Sequence, residues 1–339
     1  MAAMRPASDP RARRVLAALA LAGAGALLCA LAIGSVALPL ERLVAALAGA
    51  ADPVAVSVLQ VRLPRALSAF AVGALLGLSG AILQALLRNP LADPYVLGLS
   101  GGAAVAALGA MAWGASLLWM QVASAAGALA ALALLFVLAH RALYLRDALH
   151  GEEATTRVLL TGVMIASFCT ALLSVILVLA PDAQLRSMMF WLLGDLGGAT
   201  DLTHALAALG VLAAVLWLAR AQARALNLML RGDVQAVTQG VDVARRRRLL
   251  VVLAALATGT AVMLAGAVGF VGFVVPHLLR LAIGNDQRFL LPGAALAGGL
   301  LVLAADTAAR SLFAPLQLPV GVVTALIGVP AFLWLLRRR

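Results

Sequence analysis

Few side chains in this sequence are able to do chemistry, and their spacing decides which chemistry is open. The four histidines (His140, His150, His204, His277) and the two cysteines (Cys29, Cys169) are scattered along the chain. No metal-ligand, thiol-redox or disulfide spacing joins them. Each cysteine falls inside a separate apolar stretch and reads as a small core side chain. No H-E-x-x-H pair or comparable carboxylate constellation occurs, which argues against a hydrolase embedded in a membrane. All 25 basic residues are arginine. Without lysine a G-x-x-x-x-G-K-[ST] phosphate loop cannot form, so any nucleotide hydrolysis belongs to another chain. No catalytic residue, metal or cofactor is therefore expected here.

Asp195 and Asp306 fall near the ends of apolar stretches, and no acid or histidine relay is stacked at their middles. Proton- or sodium-coupled carriers use ionisable groups at that depth. Their absence argues against a secondary transporter, the alternative class. His277, after Pro276, reads as a structural histidine.

The elements that hold these residues are apolar and long. Hydrophobic residues make up 64% of the chain, charged residues 12%, and mean hydropathy is +1.06. A bilayer core of about 30 Å takes about 20 apolar helical residues to cross. Inside it every backbone group must be paired within its own segment, which leaves only helices. The expected fold is all-α and polytopic, with ten spans at 15–36, 65–87, 94–112, 117–139, 158–180, 202–220, 249–267, 269–283, 289–311 and 318–336. Residues 1–14 are expected as a cytoplasmic tail and 15–339 as one transmembrane domain. The apolar run after Arg5, Arg11, Arg13 and Arg14 is too long for a signal peptide and reads as a retained first helix.

An even span count puts both termini on one side. With that side inside, 20 arginines lie in cytoplasmic segments and five outside, namely Arg42, Arg62, Arg65, Arg186 and Arg310. This is the positive-inside pattern, and it explains the pI near 11.5 without nucleic acid. The five exceptions have two readings. Arg42 and Arg186 suit interfacial snorkelling. Arg310 follows Asp306 by four residues, the spacing of a pair on one helix face. A positive cluster on the outer surface would instead receive an acidic partner.

Gly73 and Gly77, then Gly98 and Gly102, are four apart, which lets helix backbones approach closely. Interruptions at Pro94, 269–272, Pro276 and 328–330 mark broken helices, tolerated in a membrane where protein or a water-filled cavity satisfies the freed backbone. The longest polar insertion, about 221–248, repeats apolar residues at spacings of three and four (Leu226, Met229, Leu230, Val234, Val237, Val241), as in an amphipathic helix. Gly232 and Gly240 cut it into short pieces. It reads equally as a helix lying at the lipid headgroups, anchored by Arg245 to Arg248, or as a docking element for a cytoplasmic protein.

Several ordered motifs carry a family resemblance. Arg62-Leu-Pro-Arg65 is followed by Gln84-Ala-Leu-Leu-Arg-Asn-Pro-Leu-Ala-Asp-Pro94, and later by Gly269-Phe-Val-Gly-Phe-Val-Val-Pro-His-Leu-Leu-Arg280. Leu290-Leu-Pro-Gly, Ala305-Asp-Thr-Ala-Ala-Arg310 and Leu318-Pro-Val-Gly-Val-Val-Thr-Ala-Leu-Ile-Gly-Val-Pro330 complete the set. Over residues 60 to 336 the chain resembles the FecCD-type permeases of bacterial ABC importers for ferric siderophores, haem and cobalamin. The resemblance implies the type II importer architecture in the inner membrane. It implies a homodimer with two cytoplasmic ATPase subunits, which hold ATP and Mg, and a periplasmic substrate-binding protein. It makes the polar insertion the coupling element, with Leu230, Arg231, Gly232, Asp233, Gly240, Val241 and Asp242 meeting the ATPase. It makes Arg62, Arg65 and Arg310 the groups that meet glutamates on the binding protein. It places the fifth and tenth spans on the path, and on the fifth Thr161, Ser167, Thr170 and Ser174 offer hydroxyls. Ferric siderophore is the first expected substrate, ahead of cobalamin and haem.

Overall fold

The computed structural model describes residues 9–34, 39, 41, 42, 45, 52–90, 92–140, 151–312, 314 and 316–337. Among them are 13 α-helices, one 3-10 turn at Pro94–Leu97 and no strand. The first five helices are α1 (Asp9–Ala32), α2 (Pro53–Leu86), α3 (Leu99–Ala112), α4 (Leu117–Leu138) and α5 (Gly151–Leu179). Next come α6 (Asp182–Leu192), α7 (Leu202–Ala221) and two short helices, α8 (Ala223–Met229) and α9 (Asp233–Thr238). The chain closes with α10 (Val243–Ala265), α11 (Val271–Ile283), α12 (Gln287–Ser311) and α13 (Val320–Arg337). Seven of them are long and apolar enough to cross a membrane, and three shorter apolar helices lie at 99–112, 271–283 and 320–333. In order they match the ten expected spans.

Several helix boundaries differ from expectation. Residues 1–8 of the expected tail lie outside the described residues, and α1 already begins at Asp9, so Arg11, Arg13 and Arg14 sit in its first turns. Helix α2 begins 12 residues earlier than its expected span because Asp52-Pro53 is a start signal. Asp52 Oδ1 accepts from the Val54 and Ala55 N–H groups at 3.1 and 3.3 Å, and proline at the first position has no N–H to lose. Pro64 then lies inside the helix and leaves the Gln60 carbonyl without its helical donor. Helix α6 was not expected at all. It is an 11-residue amphipathic piece that buries Met188 and Trp191 between two spans. Cys169 is buried as expected, whereas Cys29 stands on the exposed face of α1.

Helix α2 is the centre of the molecule, flanked by α12, α10, α7 and α11. Between Ser68 and Leu86 its side chains are buried nearly all round. Small residues make this possible. A Cβ added at Gly73 would stand 2.2 Å from the Gly298 carbonyl oxygen of α12, and one at Gly77 2.3 Å from that of Ala294. The second glycine pair also marks close packing, since a Cβ at Gly102 would lie 2.5 Å from the Gly127 oxygen of α4. The Ser79 hydroxyl lies 2.9 Å from the Ala254 carbonyl and 2.8 Å from the Thr258 hydroxyl, a polar tie between α2 and α10. At Gly80 a Cβ would fall 1.9 Å from the Gly272 oxygen of α11, so the two backbones touch. Gly80→Val is therefore expected to lose at least about 1–3 kcal/mol, read as a lower melting temperature in detergent.

The chain breaks at 266–270, just before the expected 269–272, whereas α11 runs through Pro276 and α13 through 328–330, where breaks were expected. The freed backbone is satisfied by neighbours: Asp195 N–H donates to the Ala265 carbonyl at 2.9 Å, and the Thr324 hydroxyl donates to that of Gly269 at 3.2 Å. His277 is buried and meets Phe332 of α13 edge-on at 6.5 Å.

Candidate functional site

The polar side chains gather at the two ends of the bundle. At one end α1, α2 and α12 bring together Arg62, Arg65, Asp306 and Arg310. The Arg65 guanidinium grips Asp306 from 241 residues away, with Nε 3.1 Å from both carboxylate oxygens and Nη2 2.8 Å from Oδ1. Its Nη1 donates to Gln317 Oε1 at 2.8 Å. The expected i,i+4 partner is secondary, since Arg310 Nε lies 3.8 Å from Asp306 Oδ2.

Arg62 and Arg310 turn instead to the end of α1. Arg62 Nη1 donates to the Leu31 and Ala32 carbonyls at 2.8 and 3.1 Å, and Arg310 Nη2 donates to Ala30. These are carbonyls of a helix's last turn, which lack donors within the helix and carry its partial negative charge. Gly34 leaves the room, because a Cβ there would stand 2.5 Å from Arg62 Nη2. Arg62, Arg65 and Arg310 are only 7%, 8% and 8% exposed, and Asp306 is 1% exposed. The cluster is thus recessed rather than the open surface patch that the sequence suggested. Arg65 and Arg310 both approach the Asp306 carboxylate, and with Arg62 they gather three guanidiniums at this end.

At the opposite end α7, α8, α9 and α10 build a compact shelf. Gly232 (φ +131°) and Gly240 (φ +81°) make the turns on either side of α9. The apolar repeat, cut by Gly232 and Gly240 as expected, is split between two directions. Leu226, Met229 and Ala236 face inward, while Val234 and Val237 are 51% and 45% exposed. The reason is the turn at Gly232, which separates α9 from α8. Leu230 and Val241 are partly buried, and Arg231, Gly240 and Asp242 are exposed.

Asp233, the first residue of α9, is 5% exposed and holds two arginines. Its Oδ1 pairs with Arg88, just beyond α2, and its Oδ2 with Arg247 Nη2 of α10 at 2.7 Å. Asn227 Nδ2 donates to Asp286 Oδ1 at 2.9 Å, which fastens α8 to the start of α12. Partial burial pushes the Asp286 carboxyl up, but bonds from Arg288 and Asn227 outweigh it and hold the group below its ordinary value. Arg246 Nη1 donates to Gln222 Oε1 at 2.6 Å and closes the shelf on α7.

The fifth-span hydroxyls lie along α5. Ser167, Thr170 and Ser174 are exposed and Thr161 is partly so. Ser167, Thr170 and Ser174 donate to the carbonyls four residues back at 2.9, 2.9 and 3.0 Å, so their donors are spent within the helix. Among the described residues no group of three or more histidine, cysteine or acidic side chains is placed to hold a metal.

The model of the FecCD transport family matches residues 16–338. The chain belongs to the FecCD family. Its similarity extends to the hemin transport system permease protein HmuU of Yersinia pestis, 43% identical over 287 residues, covering 83% of each chain. The vitamin B12 import system permease protein BtuC of Serratia proteamaculans is 42% identical over 282 residues, covering 82% of this chain and 81% of that one. A solved structure assigned to the metal-chelate type of ABC transporter, in an inward-facing conformation, superposes with a TM-score of 0.83 at 28% identity, covering 97% of this chain and all of that one. The fold is thus that of an ABC importer permease, and the protein is a multi-pass membrane permease.

Within this FecCD fold, two features escaped the sequence. Arg88 has φ +47°, a left-handed backbone unusual for a residue with a side chain. Nothing in its neighbours signals its partnership with Asp233. A cavity of about 450 Å³ lies behind α6, lined by Met111, Met120, Phe190, Trp191 and Met263, with Arg186 and Asp195 also on its wall.

Asp93, in the loop after Arg88, accepts the Tyr95 N–H at 2.8 Å. Burial pushes its carboxyl from 3.8 up to about 6, more than that bond lowers it. The folded state then holds a proton that the unfolded chain releases, so stability falls as pH rises through this window. Asp93→Asn is expected to melt higher than wild type at pH 7. The gap should close as pH drops below 4, as measured by thermal unfolding across pH.

Proposed function

We propose that this chain is the membrane permease of a binding-protein-dependent ABC importer that carries a metal chelate across the bacterial inner membrane. It acts as a homodimer with two cytoplasmic ATPase subunits, which hold ATP and Mg. The observation that carries this reading is the division of labour between the two ends. One end gathers three buried arginines, two of them on one carboxylate, and the other has an exposed apolar helix fastened to the bundle by buried ion pairs.

By the positive-inside rule the arginine-rich shelf faces the cytoplasm, with both termini, and the Arg62 end faces the periplasm. The shelf at 221–248 seats the ATPase through Val234, Val237 and Arg231, with Gly232 and Gly240 fixing its turns. The guanidiniums of Arg62, Arg65 and Arg310 receive carboxylates of the periplasmic binding protein. ATP-driven closure of the ATPase pair shifts the bundle between outward-open and inward-open states. The α5 hydroxyls of Thr161, Ser167, Thr170 and Ser174 line the path without gripping the cargo.

For the substrate, the breadth of the family favours a ferric siderophore. The hemin and vitamin B12 permeases among the relatives support a second reading, a metal tetrapyrrole. Growth of a strain lacking the gene, on each chelate in turn, tests both. Loss on ferric siderophores alone, restored by the gene, supports the first reading, and loss on haem or cobalamin alone supports the second. Normal growth on all three classes in a strain with no second FecCD permease would contradict both.

A further inference from the structure

The two ends are joined by one helix. Helix α2 carries Arg62 and Arg65 near its start, and Arg88 follows two residues after its last turn. From Arg65 to Leu86 no proline interrupts it, a rise of about 32 Å at 1.5 Å per residue. Over this length it packs backbone to backbone on α12 at Gly73 and on α11 at Gly80. A helix held this way moves as a rod, because its neighbours leave no room for it to bend.

The far end of the rod is clamped to α9. Asp233 spends one carboxylate oxygen on Arg88 and the other on Arg247, at 4% side-chain exposure. Arg247 is itself 6% exposed, and the left-handed turn at Arg88 brings the chain past α2 into reach of the carboxylate. A carboxylate with both oxygens engaged by guanidiniums and little water nearby is a stiff joint. The rest of α9 has no comparable tie: Val234, Gln235, Val237 and Thr238 face outward.

We propose that Arg88 is a positioning residue that locks α9 onto α2, so that displacement of α9 is carried along α2 to the Arg62 and Arg65 end. Arg247 holds the same carboxylate from α10 and keeps it aimed at Arg88. This rests on the reading of 221–248 as the ATPase seat. The joint supplies a contiguous packed element through which coupling between the two ends can travel. By linkage, an event at the arginine end must bias α9 by the same free energy.

The test uses the transporter purified with its ATPase, in a Cys29→Ala, Cys169→Ala background. One environment-sensitive fluorophore goes on Gln235→Cys in α9, and in a second sample on Ser57→Cys in the second turn of α2, ahead of Arg62. Both native side chains are exposed. With Arg88 intact, ATP is expected to shift the emission of both labels. With Arg88→Gln the shift at position 57 is expected to be lost while that at 235 persists, and Arg88→Lys recovers part of it. Persistence of both shifts in Arg88→Gln overturns the joint. Loss of both shows Arg88 merely seating α9, and also overturns it. No response at 235 with Arg88 intact contradicts the ATPase seat itself. The Arg88 side chain is 30% exposed, and a melting curve of each variant separates a lost signal from a lost fold.

Discussion

Arg65→Asp is expected to abolish uptake and to destabilise the permease strongly. The substitution places two carboxylates where a guanidinium now grips Asp306 through 2.8 and 3.1 Å bonds. Removing one partner of a buried pair costs about 3–5 kcal/mol, and like charges add to that. Stability alone does not test docking, so a second variant is needed. Exchanging the pair, Arg65→Asp with Asp306→Arg, restores a cation and an anion in the same pocket and should regain most of the lost melting temperature. If the guanidinium at position 65 is itself read by the binding protein, uptake stays lost in the exchanged variant. Full recovery of uptake would mean that Arg65 only braces α2 against α12. Arg62→Glu with Arg65→Glu should likewise stop uptake, and normal uptake in that double variant would remove the docking role outright.

The second large effect belongs to the other end. Val237→Asp is expected to weaken binding of the ATPase at least about 100-fold, since an uncompensated charge in a closed interface costs about 3–5 kcal/mol. The permease itself should melt as before, because Val237 is 45% exposed and touches solvent on the permease alone. Titration of the purified ATPase against the reconstituted permease reads this directly. Unchanged affinity would move the seat away from α9.

The spans were legible because hydrocarbon permits only helices, so hydropathy alone locates them. Local chemistry decided the rest. The start of α2 was written in Asp52-Pro53, a cap signal that Arg62, Pro64 and Arg65 obscured by looking like a boundary. Helix α6 escaped because it is only 11 residues long and its first six residues carry four polar side chains, Asp182, Gln184, Arg186 and Ser187. The turns at Gly232 and Gly240 were visible, but which face of α9 points outward depends on the rotation they impose. The arginine cluster was half legible. Spacing showed Asp306 and Arg310 on one helix, yet the dominant partner of Asp306 is Arg65, and no spacing rule reaches across 241 residues. The carbonyls at the end of α1 were equally invisible, because backbone acceptors leave no trace in residue type.

The most direct test of the account is uptake of a radiolabelled chelate into vesicles that contain this permease and its ATPase. A ferric siderophore, haem and cobalamin are each presented with the matching binding protein. Accumulation that requires both ATP on the ATPase side and the binding protein on the opposite side is the predicted result. Accumulation driven by a proton or sodium gradient without ATP would contradict it, and would make the chain an ion-coupled carrier.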